Sequence, residues 1–277
     1  MSDSRISQRV PLRILCQHEH GSCAACCGLD NFRDRSEGAQ QRRLRRRTTH
    51  VRAAWPDLDR LRAVRDQLLE AEKPDILFAG VKVCPFAGYL VEPGGPVGCL
   101  LHPSRHPAGA DLRELAVYPR EVCAGHFCAS HDWLRPREMD LAQTAVGTLY
   151  GRVVTDAGLV KAIGRLLDES LARSFTSADV IAGRPPLEKL WRFLLVDWPF
   201  VDPDPARFGG FQFSGDDAIE RSLPSCLAGC TAAHVPAERT VLDAIATRPL
   251  DGAAAAEALA ALRARLLRVT AAMTAAS

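Results

Sequence analysis

Apolar residues in the second half of the chain recur every three or four positions, which is the period of a helix with one buried face. This spacing, together with proline or polar residues at the starts, predicts helices at roughly 137–150, 156–172, 186–197, 236–246 and 251–271. The last helix carries an apolar stripe formed by Leu259, Leu262, Leu266, Val269 and Met273. We expect this stripe to pack within the molecule, and a dimer seam is the alternative.

The first half combines two predicted helices with short β-like runs. Ser36 begins a helix that extends toward residue 48, and Asp57 caps a second helix that Pro74 ends. Apolar runs predict four strands, at 76–78, 81–84, 89–92 and 97–101. A Pro-Gly-Gly-Pro segment joins the last two as a hairpin. The stretch 198–236 is rich in proline and glycine and is predicted to be irregular.

Together these patterns predict an α+β protein. Its cysteine-rich, metal-binding first half is irregular with a small β-hairpin, and its second half is mainly α-helical. We expect a cysteine-cluster metal-binding domain over 11–135, with a mainly helical domain over 136–277 packed on it. The length of 277 residues and the apolar fraction of 47% suit a protein with a proper core.

Composition bears on the compartment and the partners. No run of 18 or more apolar residues occurs and the N-terminus is polar, so the sequence predicts neither a membrane span nor a secretory signal. The cytoplasm is the expected compartment. There, ten cysteines are expected to serve metal or redox chemistry rather than structural disulfides. The formal net charge of +2 is too small to indicate a polyanionic partner.

Eight of the ten cysteines lie within residues 16 to 128, and four of them stand close together at the start of that range. There a Cys-x-x-Cys-Cys turn can direct two or three sulfurs at one point, as zinc and iron–sulfur centres require. The first-choice metal ligands are Cys23, Cys26, Cys27, Cys84, Cys99 and Cys123, followed by Cys16 and Cys128 and then by His20. Zinc and iron–sulfur stay open, and a group of buried free thiols is the alternative.

Neighbouring side chains tend to point apart, so adjacent Cys26 and Cys27 favour two metal centres, or one ligand beside one packed thiol. Three histidines lie near the later cysteines, at His106, His126 and His131. Each is a candidate ligand or a donor to a ligand, but a packed or surface role is favoured for any one of them.

A second pair of cysteines lies in the irregular stretch of the second half. Cys226 and Cys230 are close to His234 and could supply metal ligands. Because this spacing matches no compact metal motif, small buried hydrophobes are an equal alternative.

A run of arginines follows Ser36, with basic side chains at Arg42, Arg43, Arg45, Arg46 and Arg47. The run could bind nucleic acid or phosphate. No aromatic residues are interleaved with it, so a solvated helix face is the favoured interpretation. Nucleic acid is therefore a disfavoured partner.

Four motifs follow one another in the chain: His20-Gly-Ser-Cys23-Ala-Ala-Cys26-Cys27, Cys84-Pro-Phe-Ala-Gly-Tyr-Leu, Gly98-Cys99-Leu-Leu-His-Pro-Ser-Arg-His-Pro, and Cys123. Their order resembles the YkgJ-type cysteine-cluster family, whose Cys-x-x-Cys-x-x-Cys-Cys opening is expected to chelate zinc or iron. The resemblance covers about residues 14 to 133. His20 stands where the first cysteine of that family falls, so Cys16 or His20 fills that position. The stretch between Cys99 and Cys123 is also longer than is usual there.

The resemblance implies metal binding without a defined reaction. A similar motif occurs in flagellin lysine methylases, which implies an iron–sulfur-dependent modifying enzyme as an alternative function. A second alternative is a metal-stabilised module that binds a protein, a peptide or nucleic acid. The sequence contains no glycine-rich nucleotide loop, hydrolase elbow or phosphate loop. Catalytic residues, the partner and the oligomeric state stay undefined.

Overall fold

The computed structural model describes residues 15, 17–18, 21–91, 95–103, 109–125, 128–214 and 219–275. Over these residues the protein is mainly helical, with small antiparallel sheets. The helices are α1 (Glu37–Ala54), α2 (Leu58–Glu72), α3 (Arg120–Gly125), α4 (Ser130–Trp133), α5 (Pro136–Ala142), α6 (Leu149–Thr155), α7 (Ala157–Leu171), α8 (Ser177–Ala182), α9 (Arg184–Leu195), α10 (Pro236–Ala244) and α11 (Gly252–Ala275). The strands are β1 (Gln17–His18), β2 (Gly21–Ser22), β3 (Ala87–Tyr89), β4 (Val97–Cys99), β5 (Arg207–Phe208), β6 (Phe211–Ser214) and β7 (Ile219–Ser222).

The second half forms a helical core around α7, which packs against α5, α6, α10 and α11. All five residues of the predicted stripe on α11 are buried, so its packing within the molecule is confirmed. The Asp156 side chain caps α7 by accepting a hydrogen bond from Leu159 N at 2.8 Å. The predicted helix at 137–150 is wrong as one element, because Gly147 adopts a φ of +60° between α5 and α6.

The stretch predicted to be irregular contains a sheet of order β5-β6-β7. Its aromatic side chains reach the first half of the chain. The Phe78 ring lies 5.9 Å from the Phe208 ring and 5.5 Å from the Phe213 ring, centre to centre. Such pairs stabilise a contact beyond their buried area. This sheet therefore joins the cysteine-rich half to the helical half.

The predicted hairpin in the first half is confirmed as β3 and β4, although both strands are shorter than expected. The predicted strand at 76–78 is reduced to an isolated antiparallel bridge between Ile76 and Phe32, and the strand predicted at 81–84 is wrong. Asn31 explains this, because its side chain takes the backbone groups that a strand partner would use. Asn31 Nδ2 donates to Phe78 O at 3.0 Å and to Val81 O at 2.8 Å, and its Oδ1 accepts from Phe78 N.

Helix α1 docks on the hairpin through Thr48. The Thr48 hydroxyl donates to Leu44 O and accepts from Tyr89 N, at 2.7 and 2.8 Å. At Gly88, an added Cβ would lie only 2.7 Å from both Leu100 Cδ1 and Thr48 Oγ1. The absence of a side chain at this glycine is what lets the helix approach the strand so closely.

The arginine run lies on α1, and the favoured solvated face is wrong for two of its members. Arg47 is fully buried and pairs with Glu72 of α2, with Arg47 Nη2 donating to Glu72 Oε2 at 2.5 Å. Arg43 is also buried, and its guanidinium lies 3.5 Å from the centre of the Phe32 ring. Burial alone would raise the pKa of Glu72, but the hydrogen bonds from Arg47 and Arg46 hold it below its usual value.

Over the described ranges, no helix combines the length and apolar character needed to cross a membrane.

Candidate metal centre

A turn after β2 carries the Cys-x-x-Cys-Cys sequence to the segment that precedes β3. Gly28 ends this turn with a φ of +72°, and a Cβ there would lie 2.6 Å from Lys82 O. Beside it, Cys84 N donates to Cys27 O at 2.9 Å. Glycine alone accommodates both this backbone conformation and this close approach. Gly28 therefore fixes how the two cysteine-bearing segments meet.

Three thiols meet at this contact. The Cys27 side chain packs on the apolar cluster that contains buried Cys84, and the neighbouring Cys26 is exposed. The hydrogen bond with Cys27 lowers the pKa of Cys26 to about 7 and that of Cys84 to about 6. The same bonds raise the pKa of Cys27 well above its usual value.

Cys99 and Cys123 lie beside these three thiols. Strand pairing places Cys99 opposite Ala87, which follows Cys84 closely in the chain. Burial raises the pKa of Cys99 to about 12 and also raises that of Cys123, and negative charge on Cys84 raises both further. We call the five residues the thiol cluster: Cys26, Cys27, Cys84, Cys99 and Cys123. Within the described chain, none of them forms a disulfide.

Backbone N–H groups point at two sulfurs of the thiol cluster. The backbone N–H groups of Val117 and Phe86 lower the pKa of Cys84, and that of Leu101 lowers the pKa of Cys99 against the effect of burial. In both cases one donor lies two residues after the cysteine, so a local turn aims the sulfur. Hydrogen bonds to a sulfur favour its charged thiolate form, which is the form that binds metals.

Two arginines flank the thiol cluster. Arg47 lowers the pKa of Cys84 through its charge, and its buried Nη1 has no hydrogen-bond partner among the residues that the structure describes. Arg113 Nη1 donates to Cys123 O at 3.1 Å, and its charge lowers the pKa of Cys99 and Cys123 against the effect of burial. Each guanidinium also pairs with a carboxylate, Arg47 with Glu72 and Arg113 with Asp111, so the two arginines offset thiolate charge only in part.

Neither arginine is predicted from the sequence to be part of the site. For Arg47 a signal existed, because it lies three residues after Leu44 and four before Val51, both of which are buried. That spacing places all three on the buried face of α1. For Arg113 we find no comparable pattern.

Cys23 is partly buried and packs against the helical core. A Cβ on Gly151 of α6 would lie 3.6 Å from Cys23 Sγ. Cys23 Sγ accepts from Ala25 N at 3.4 Å, the same donor spacing as at Cys84 and Cys99. The turn thus directs Cys23 toward α6.

Cys128 lies just before α4, where its carbonyl oxygen accepts from His131 N at 3.0 Å. No hydrogen bond links its thiol to the thiol cluster in the described parts of the chain. Desolvation lowers the pKa of His131. The other predicted or considered ligands lie outside the described residues: Cys16, His20, His106 and His126.

Cys226 and Cys230 lie at the helical core. Cys226 is buried there, and burial raises its pKa to about 12, with a further contribution from its contact with Asp243. Cys230 Sγ donates to Leu250 O at 3.0 Å. His234 Nδ1 contacts Ala232 O at 2.9 Å. These surroundings are those of packed thiols.

Among the described residues, no group of three or more histidine, cysteine, aspartate or glutamate side chains is already placed to hold a metal ion. The Cys123 thiol instead donates to Tyr118 O at 3.9 Å. The donor set is nonetheless soft and rich in sulfur, which is the chemistry that zinc and iron–sulfur clusters select.

The fold and the thiol cluster define a mainly helical protein with a cysteine-rich first half. Comparison with family models, with curated proteins and with solved structures finds no match. The resemblance of residues 14 to 133 to the YkgJ-type family stays a prediction from its motifs.

Proposed function

We propose that the thiol cluster binds zinc or an iron–sulfur cluster and that the protein depends on this metal. The observation that carries the proposal is the meeting of cysteines from three separate segments. Cys26 and Cys27 come from the turn after β2, Cys84 and Cys99 from the hairpin region, and Cys123 from α3. Chance burial of thiols gives no reason for this convergence.

Metal binding would replace the hydrogen bonds between thiols by bonds to metal. In a tetrahedral zinc site with Zn–S bonds of about 2.3 Å, neighbouring sulfurs are about 3.8 Å apart. The backbones of Cys27 and Cys84 are already joined by a hydrogen bond of 2.9 Å, and both residues pack in one apolar cluster. The change therefore needs side-chain rotation and loss of protons rather than rearrangement of the backbone.

The surroundings support a charged centre. A site with four thiolates and Zn²⁺ carries a net charge of −2, which is costly to bury without compensation. Arg47 and Arg113 place guanidinium groups next to the sulfurs, although each also pairs with a carboxylate, Arg47 with Glu72 and Arg113 with Asp111. The unpartnered Nη1 of Arg47 would gain an acceptor when the neighbouring thiols become thiolates.

The test is anaerobic purification followed by analysis for zinc, iron and acid-labile sulfide. We expect about one metal centre per chain in the native protein and a loss of at least about half of it in Cys84→Ser, because a closed site needs all its ligands. Cys230→Ser is the matched control, since this thiol lies at the helical core, and it should keep the native metal content.

Metal identity distinguishes the roles that the sequence left open. Iron with acid-labile sulfide would favour a modifying enzyme, and saturated zinc would favour a structural or interaction role. A native protein without either metal after anaerobic purification would refute the proposal. Equal metal content in Cys84→Ser and Cys230→Ser would refute it as well.

A further inference from the structure

A cleft with a volume of about 1040 Å³ lies away from the thiol cluster. Its walls come from the start of α1, from α4, from the junction of α6 and α7, from the β5–β6 turn and from α10. This volume lies at the upper end of the range for small-molecule sites in proteins. Both halves of the chain contribute to the cleft, as they do to the aromatic contact at Phe208.

Four arginines line this cleft, and two of them, Arg35 and Arg152, act on each other through their charge. Arg35 is half-buried, and its guanidinium lies 4.4 Å from the centre of the Phe208 ring. In the described chain it forms no hydrogen bond or ion pair. Arg152 uses its Nη1 to donate to Leu195 O at 2.9 Å.

The carboxylates of the cleft have other partners. Glu37 pairs with Arg192, and Asp202 pairs with Arg207. Asp30 accepts from Gln40 Nε2 at 2.9 Å, Asp243 accepts from Ser225 and from Cys226 N, and Asp156 caps α7. Asp30 and also Asp204 act on Arg35 through their charge, but neither forms an ion pair with it.

An unpaired, partly desolvated cation beside a second cation is unfavourable unless an anion joins them. Guanidinium groups bind carboxylates and phosphates through paired N–H donors, so two guanidinium groups can bind one anion from opposite sides. The exposed Trp133 side chain on the cleft wall offers an aromatic surface to the rest of such a ligand.

We infer that this cleft binds a small organic anion, whose phosphate or carboxylate group lies between Arg35 and Arg152. The ligand class is set by the two guanidinium groups, and the size of the cleft leaves room for an attached ring or chain. This inference does not depend on metal binding at the thiol cluster.

The test uses pyrophosphate and citrate as probes of the two anion types, titrated into the full-length protein by calorimetry at low ionic strength. Trp133 lines the cleft, so its fluorescence gives a second readout, and Trp133→Phe identifies that signal. We expect at least one probe to bind. Each of Arg35→Gln and Arg152→Gln should weaken binding by about tenfold or more, because each removes charge-assisted hydrogen bonds.

Arg165→Gln is the matched control, because Arg165 is exposed on α7 and does not line the cleft. It should change affinity by less than about twofold, as expected for a charge outside the site. Arg35→Lys keeps the charge and should retain more affinity than Arg35→Gln, which separates anion binding from lost packing on Phe208.

The preferred probe would assign the anion as a phosphate or a carboxylate. Failure of both probes to bind the native protein would overturn the inference. So would an equal loss of affinity in Arg165→Gln and Arg152→Gln, because that result indicates general charge attraction.

Discussion

Single residues decide how the arginine run on α1 is used. A basic run in sequence suggests a surface, yet Arg47 is fully buried because Glu72 neutralises it and because it lies on the same helical face as Leu44 and Val51. The same guanidinium then stands beside Cys84. One side chain thus links the packing of α1 on α2 to the electrostatics of the thiol cluster.

We expect Arg47→Met to lower the free energy of unfolding by about 3–5 kcal/mol at pH 7, because buried Glu72 would lose its buried partner and keep only the exposed Arg46. Urea denaturation measures this loss. Arg62→Met removes the exposed pair with Asp59 on α2 and should cost less than about 1 kcal/mol.

The pH dependence of that loss identifies its cause. The pKa of Glu72 is held low in the folded protein, so its ion pair stabilises the fold above the usual pKa of 4.5. That stabilisation disappears as the pH falls through the folded pKa. In Arg47→Met, protonation of Glu72 relieves the buried charge. The difference in the free energy of unfolding between the native protein and Arg47→Met should therefore become smaller below about pH 4.5. A difference that stays constant would contradict an electrostatic cause.

At the scale of elements, the sequence predicted what local chemistry determines. Ser36, Asp57 and Asp156 cap their own helices, and these starts were predicted because a cap acts within a few residues of itself. The reduction of the strand at 76–78 to a bridge and the loss of the strand at 81–84 were not predictable in this way. Both depend on Asn31, which lies 47 residues from Phe78 and reaches it only in the folded chain.

In the candidate site too, the sequence predicted the features that neighbouring residues determine and missed those that depend on distant contacts. The order of the cysteines along the chain predicted a sulfur-rich site, and the structure brings five of those residues together. Sequence spacing could not separate Cys23, which turns toward α6, from Cys26 and Cys27. It also predicted different surroundings for adjacent Cys26 and Cys27, and in the structure Cys26 is exposed whereas Cys27 packs on the apolar cluster of Cys84.

The contact between α1 and the hairpin can be tested at Gly88. We expect Gly88→Ala to lower the free energy of unfolding by about 1–3 kcal/mol, because its Cβ would collide with Leu100 and Thr48. Thermal denaturation measures the effect. Gly210→Ala is the control, since a Cβ there meets nothing within 4 Å. Equal melting temperatures for the two variants would show that the hairpin moves freely relative to α1.

At the scale of the whole molecule, the two halves depend on different interactions. The helical half has a large apolar core that includes the stripe of α11, whereas the described first half has two smaller apolar clusters around its cysteines. If metal occupies the thiol cluster, metal binding contributes directly to the stability of the first half.

We therefore expect a chelator to loosen the first half selectively. After metal removal, amide hydrogen exchange should accelerate by about tenfold or more in β3, β4 and the turn at 23–28, while α7 and α11 keep their protection. Cys230→Ser treated in the same way serves as the control. Unchanged exchange in the hairpin, or equal acceleration in α11, would show that the metal does not support this half.

The contact of Phe208 with both halves has a consequence for how the β5–β6 turn can vary. Surface loops ordinarily tolerate changes in length. Here Phe208 and Phe213 pack on Phe78, and Arg35 stacks on Phe208. An inserted residue between Phe208 and Phe213 would disturb both the contact between the two halves and the wall of the cleft. This short connection therefore tolerates changes in length less well than an ordinary surface loop does.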